Sequence, residues 1–196
     1  MYLLLLTYFI VGAVLLALLN KGDLVIYLNR MHTSVLNYFF RFWSMVGNGW
    51  FTVIAIAIVF PINRYKFYML AANSALCGFL AQFFKRVFFS DFDRPIKILG
   101  TEGYDFIAGV DVASKHSFPS GHTTAAFALF IMMSLLYENK RASFLFVVAG
   151  VLVAFARMYL FEHFYMDTYA GAVLATFVTT VVYYLFMRSP KFQENI

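Results

Sequence analysis

Six stretches of this chain, residues 2–19, 50–62, 67–84, 123–137, 142–160 and 168–187, are apolar almost throughout, and Arg157 is the only charged side chain inside them. A hydrocarbon layer about 30 Å thick offers the backbone no hydrogen-bond partner, so a segment of about 20 apolar residues crosses it as an α-helix. The second and fourth stretches are short by that measure, within the about 2–4 residues by which sequence places helix ends. None shows the short alternating pattern of a membrane β-barrel. The expected fold is therefore all-α, a polytopic membrane protein with six transmembrane helices in one bundle. Composition agrees: 62% of the 196 residues are hydrophobic and 13% charged, against roughly 45–50% and about 25% in soluble domains.

The first stretch lacks the basic leader and small-residue cleavage site of a secretory signal, and it is expected to be retained. Between the first two stretches, residues 24–46 mix Arg30, His32 and Arg41 with Tyr27, Tyr38, Phe39, Phe40, Phe42 and Trp43. Isolated cations among aromatics suit an interfacial helix lying in the headgroup layer. Cys77 is the single cysteine, which leaves no intramolecular disulfide and no cysteine metal cluster. The net charge of +5 is interleaved with the apolar stretches rather than gathered in a stripe, so anionic lipid is the expected partner and nucleic acid is not. Nor does the sequence point to an obligate protein partner. No repeat or linker divides the chain, and residues 1–196 are expected to form a single domain.

Six crossings put both termini on one side and the long connections, 20–49 and 85–122, on the other with residues 157–167. Arg64, Lys66, Lys140, Arg141, Arg188 and Lys191 crowd the short segments of the first side. That density marks the first side as cytoplasmic and the second as external.

The chemistry-bearing residues all fall on the second side. His163 and Asp167 are spaced i and i+4, so on a helix the carboxylate would orient the imidazole, with Arg157 six positions upstream. In Ser117-Phe118-Pro119-Ser120-Gly121-His122-Thr123 a turn opens directly into an apolar stretch. Free N–H groups at such a helix start cradle an anion, with Gly121 allowing close approach and His122 at the edge. Ser120 as an ordinary helix cap is the competing reading. Arg94, before Pro95, and Arg157 offer planar forks for phosphate oxygens, and Lys85 a mobile point charge. Snorkelling is the plainer account of Lys85.

Taken in order, Lys85 with Arg94-Pro95, Pro119-Ser120-Gly121-His122, and Arg157 through His163 to Asp167 resemble the signature of the type 2 phosphatidic acid phosphatase (PAP2) superfamily. The resemblance runs from the third stretch onward. It departs twice: eight residues rather than six separate Lys85 from Arg94, which makes Arg86 a rival for the first basic role, and Ala156 stands where the family commonly has Ser. The resemblance implies that His163 is a nucleophile forming a phosphohistidine, oriented by Asp167, and that His122 protonates the leaving oxygen and then activates water. It further implies that Lys85, Arg94, Ser120, Gly121 and Arg157 hold the phosphate, with no metal and no other cofactor.

The implied function is a compact membrane lipid phosphatase of a bacterial inner membrane, with its active site on the periplasmic face. Phosphatidylglycerophosphate, phosphatidic acid, undecaprenyl diphosphate and lipid A phosphate all present a suitable headgroup, and residues 96–115 are placed to overlie the site. Three other readings stand beside it. A metal-dependent hydrolase would use His116, His122, His163 and Asp167, but metals favour carboxylates and imidazoles over a ring of cations. A phosphotransferase would pass the same phosphoryl group to another lipid or sugar. A non-enzymatic lipid carrier would need charge spread through the membrane depth.

Overall fold

The computed structural model describes residues 2–137 and 139–195; Met1, Glu138 in the short 138–141 connection, and Ile196 lie outside the described residues. Its helices are α1 (Tyr2–Leu18), α2 (Asp23–Asn29), α3 (Ser34–Val46), α4 (Gly49–Val59) and α5 (Arg64–Phe83), which continues into a π-helical turn, Phe84–Phe88. There follow α6 (Pro95–Leu99), α7 (Gly121–Leu136), α8 (Lys140–Tyr159), α9 (Tyr165–Met187) and α10 (Pro190–Gln193). No strand occurs among the described residues.

Each apolar stretch falls on one helix: α1, α4, α5, α7, α8 or α9. Three of these, α5 with its π turn (25 residues), α8 (20) and α9 (23), are long and apolar enough to cross a membrane alone. The α1–α2 pair is bent by 101° and the α3–α4 pair by 59°, and counting each as one broken span brings the total to five. The 16-residue α7 is shorter than a lone span requires. It packs against α5, α8 and α9, which bury most of its side chains, so protein takes the place of lipid around it.

Asparagines start three of the helices. The side chains of Asn48, Asn63 and Asn139 accept from first-turn N–H groups of α4, α5 and α8, satisfying donors that a helix leaves open. Along the bundle, Leu70, Phe127, Ile131, Val153 and Ala175 belong to one apolar core. Outward residues such as Ile54, Phe79, Phe177 and Leu185 stay exposed, as lipid-facing positions do.

The segment expected to form a single interfacial helix is two helices, α2 and α3, both packed on α8. Its polar residues serve that docking. The Asn37 side chain accepts from the buried Tyr159 hydroxyl at 2.6 Å, and His32 Nε2 lies 3.0 Å from the Tyr159 carbonyl. At Gly47, between α3 and α4, a Cβ would stand 2.5 Å from Val153 Cγ1 and 3.2 Å from the His122 carbonyl. The missing side chain lets this corner rest on α8 and on the start of α7.

Candidate active site

Five segments meet at one end of the bundle: the π turn after α5, the 89–94 loop, the 116–120 loop leading into α7, the end of α8, and the start of α9. Backbone bonds tie them together. Ser117 N–H donates to the Phe92 carbonyl, Arg94 N–H to Ser114, and Ser120 N–H to Asp167. At Gly171 a Cβ would lie 2.8 Å from the Ser120 carbonyl, so only glycine lets α9 approach the loop this closely.

After α8 the chain turns back so that Glu162 and His163 both donate their N–H to the Arg157 carbonyl, at 3.0 and 3.2 Å. This turn needs Phe161 at φ 60, a left-handed conformation that costs a non-glycine residue about 1–2 kcal/mol. The Phe161 ring, 1% exposed, packs on Tyr104 and Phe106 at 4.9 and 5.4 Å, which offsets that strain. The 96–115 segment thus packs on the turn that carries Glu162 and His163, and it is tethered by Asn29 to the backbone of Asp105 and by Arg41 to the Ala108 carbonyl.

His163 and Asp167 meet, though not as a pair on one helix. His163 lies in the loop before α9, and Asp167 reaches back from the helix's first turn, where Oδ2 accepts the Phe164 N–H at 2.9 Å. The His163 Nδ1 to Asp167 Oδ2 separation is 3.4 Å. Between them stands Ser117, whose hydroxyl donates to Asp167 Oδ2 at 2.5 Å and lies 3.4 Å from His163 Nδ1. The His163 imidazole is 1% exposed and held well below its ordinary pKa near 6.5, first by burial and then by the charges of Arg94, Arg157 and Lys85. The neutral ring is the form able to act as a nucleophile.

Lys85, Arg94 and Arg157 act electrostatically on both imidazoles, His122 and His163, which gathers all five at this end of the bundle. Lys85 is 7% exposed, whereas Arg86 beside it is exposed, so the π turn aims the first of the pair at the site. π turns often mark such places. Ser120 caps α7 through its side chain, which accepts from Thr123 N–H at 3.4 Å and Thr123 Oγ1 at 3.0 Å. Its own N–H is taken by the Asp167 carbonyl, so the donors that the start of α7 leaves open belong to Gly121 and His122.

Three participants escaped the sequence reading: Ser117, Ser44 and Glu162. Arg157 Nη1 donates to Ser44 Oγ of α3 at 2.5 Å, a hydroxyl reached across 113 positions. Glu162 Oε2 accepts from Arg157 Nη2 at 2.7 Å and from Arg94 Nη1 at 2.5 Å. Adjacency to His163 was the only sequence signal for Glu162; Ser44 offered none. The alternative metal set is not assembled, because His116 lines an outer depression with Lys115 and Asp91 and, among the described residues, no three His, Cys, Asp or Glu side chains gather as ligands.

A collar of cations around paired histidines, built by these segments in this order, defines the class. The chain belongs to the PAP2 superfamily, whose sequence profile matches residues 64–191. It is 32% identical over 117 residues to lipid phosphate phosphatase 1 of Arabidopsis thaliana, covering 49% of this chain and 36% of that protein. Undecaprenyl-diphosphatase BcrC of Bacillus subtilis is 34% identical over 76 residues, 39% of this chain and 36% of the relative. The chain thus spans about a third of the length of each. Lipid A 4'-phosphatase of Porphyromonas gingivalis is 28% identical over 185 residues, 86% of this chain and 75% of that one. Among solved structures, Aquifex aeolicus LpxE superposes with a TM-score of 0.73 over 84% of this chain and 94% of its own. A transmembrane PAP2-type phosphatidylglycerolphosphate phosphatase from Bacillus subtilis gives 0.70 over 98% and 100%. Both are 21% identical to this chain, a likeness of fold. Together with the apolar helices, these neighbours make the chain an integral membrane protein.

Proposed function

We propose that this protein is a lipid phosphatase, its whole length acting as one domain, that cleaves a phosphomonoester or diphosphate headgroup through a phosphohistidine on His163. The observation that carries the reading is Arg157. Its side chain is 5% exposed, two of its nitrogens are engaged by Ser44 and Glu162, and its Nε–H is buried with no partner among the described residues. A buried unmet donor on a guanidinium, amid Arg94, Lys85 and two imidazoles, is satisfied by an anion's oxygen.

In the first step His163 Nε2 attacks phosphorus while the bond to the leaving oxygen breaks, and His122 gives that oxygen a proton. Lys85, Arg94, Arg157 and the N–H groups of Gly121 and His122 stabilise the spreading charge on the equatorial oxygens, and Ser120 holds the start of α7 in place. In the second step His122 takes a proton from water, which attacks phosphorus and frees His163 and inorganic phosphate. The scheme needs no metal, since fixed cations supply the electrostatics.

A lipid substrate is favoured by a groove of about 480 Å³ between the π turn and α9. Phe84, next to Lys85, and Pro119, next to Ser120, form its upper wall, and Val173 and Phe177 continue it along α9. A hydrocarbon chain lying there would leave its phosphate at the collar. We further propose six crossings, with the bent α3–α4 pair and the shielded α7 each spanning, and the site on the external face of a bacterial inner membrane. Supporting that orientation, Arg64, Lys66, Lys140 and Arg141 start α5 and α8 at the end opposite the site.

The test is phosphate release by the purified protein in detergent from phosphatidylglycerophosphate, phosphatidic acid, undecaprenyl diphosphate and lipid A. Release from at least one, resistant to EDTA and blocked by orthovanadate, is expected. Release from none would overturn the reading.

A further inference from the structure

Glu162 is an unexpected neighbour for an anion site. Its carboxylate is 9% exposed, and a single oxygen bridges the two guanidiniums that face the phosphate position. Arg94 also donates to the Glu162 carbonyl at 3.4 Å and to the Lys115 carbonyl at 3.0 Å, while Arg157 is held from its other side by Ser44. Each fork is thus anchored from behind. The pocket then holds three cations, Lys85, Arg94 and Arg157, against two carboxylates, Glu162 and Asp167. A collar meant only to bind phosphate as tightly as possible would omit the second carboxylate, since like charge repels a dianion.

We propose that Glu162 is a positioning residue with two linked effects: it sets the spacing of Arg94 and Arg157 for one tetrahedral anion, and its charge weakens the hold on product phosphate so that the site empties. The inference rests on the phosphatase reading. Arginines fixed before substrate arrives need no reorganisation during reaction. Phosphate, freed by hydrolysis, is a dianion much like a phosphomonoester headgroup, so a collar without Glu162 would retain it.

The two effects separate in substitutions. Glu162→Gln keeps an oxygen for the guanidiniums and removes the charge; Glu162→Asp keeps the charge and withdraws it by one methylene. Glu162→Ala would leave Arg157 buried without its counter-charge and is expected to fold poorly. Calorimetric titration of inorganic phosphate into the detergent-solubilised full chain should show Glu162→Gln binding about tenfold tighter than the parent, and Glu162→Asp binding more weakly. In steady-state phosphate release, Glu162→Gln should lower kcat and KM together, as release-limited turnover requires. Unchanged or weaker phosphate binding in Glu162→Gln would overturn the proposal and leave Glu162 a purely structural link. A parent protein that binds phosphate yet releases none from any lipid would sink the phosphatase reading instead, while the affinity order of the variants still decides the role of Glu162.

Discussion

His163 and His122 stand at the same end of the bundle in settings built in opposite ways. The His163 loop is over-determined: its N–H is spent on the Arg157 carbonyl, its Nδ1 faces Ser117 and Asp167, and its ring is all but sealed. His122 sits partly exposed in the first turn of α7, and its ring has no hydrogen-bond partner among the described residues. A nucleophile must present one nitrogen along one line, so fixing its tautomer and aim saves the entropy of finding them. A group that gives a proton to one oxygen and takes it from another is better left free to follow them. In the proposed scheme the protein holds the first imidazole, and the substrate places the second.

Replacing each histidine sharpens that contrast. His163→Ala should lower phosphate release by about 10⁴-fold or more, the scale on which nucleophile removal acts, with an unchanged melting temperature. His122→Asn should cost about 10²–10⁴-fold on lipid substrates. With p-nitrophenyl phosphate, whose leaving group needs no proton, the same variant should accumulate acid-labile phosphoenzyme, because only its second step is slowed. Equal losses on both substrates without phosphoenzyme would erase the division of labour. Burial and three cations keep His163 neutral, so histidine NMR of the ligand-free protein should find its titration well below the ordinary value of 6.5, and saturating phosphate should move that titration upward. A His163 ring half-protonated near the ordinary value would contradict that.

How much of this was legible differs between the same two regions. The α7 start could be read because its features are local: turn residues next to an apolar stretch make a capped helix wherever they occur. The His163 loop could be read only in its residue types. Spacing suggested a helical i, i+4 pair, but α9 begins at Tyr165, and the pair forms because Asp167 caps the helix it belongs to. Glu162 between two arginines and Ser44 on Arg157 are long-range contacts that no periodicity encodes. The eight-residue gap after Lys85 likewise hid the π turn, which widens the helix by one residue and turns Lys85 inward. Lys85→Ala should therefore cost about 10²-fold in kcat/KM, as loss of a buried charge-assisted contact does, and Arg86→Ala less than about twofold. The reverse order would move the first basic role to the exposed side of the turn.

The smallest expected effect tests whether α3 belongs to the site at all. Ser44 touches no reacting atom, yet among the described residues it is one of two side chains that fix the Arg157 guanidinium, and Gly47 brings it within reach by allowing the α3–α4 corner onto α7. Losing a neutral partner of a charged donor costs about 1 kcal/mol when water or a neighbour partly replaces it. Ser44→Ala should accordingly lower kcat/KM about fivefold, with kcat carrying most of the loss because a looser fork stabilises the transition state less than the bound headgroup. If KM alone rises, Ser44 tunes binding; if neither constant moves, α3 only packs beside the pocket and Glu162 orients Arg157 unaided.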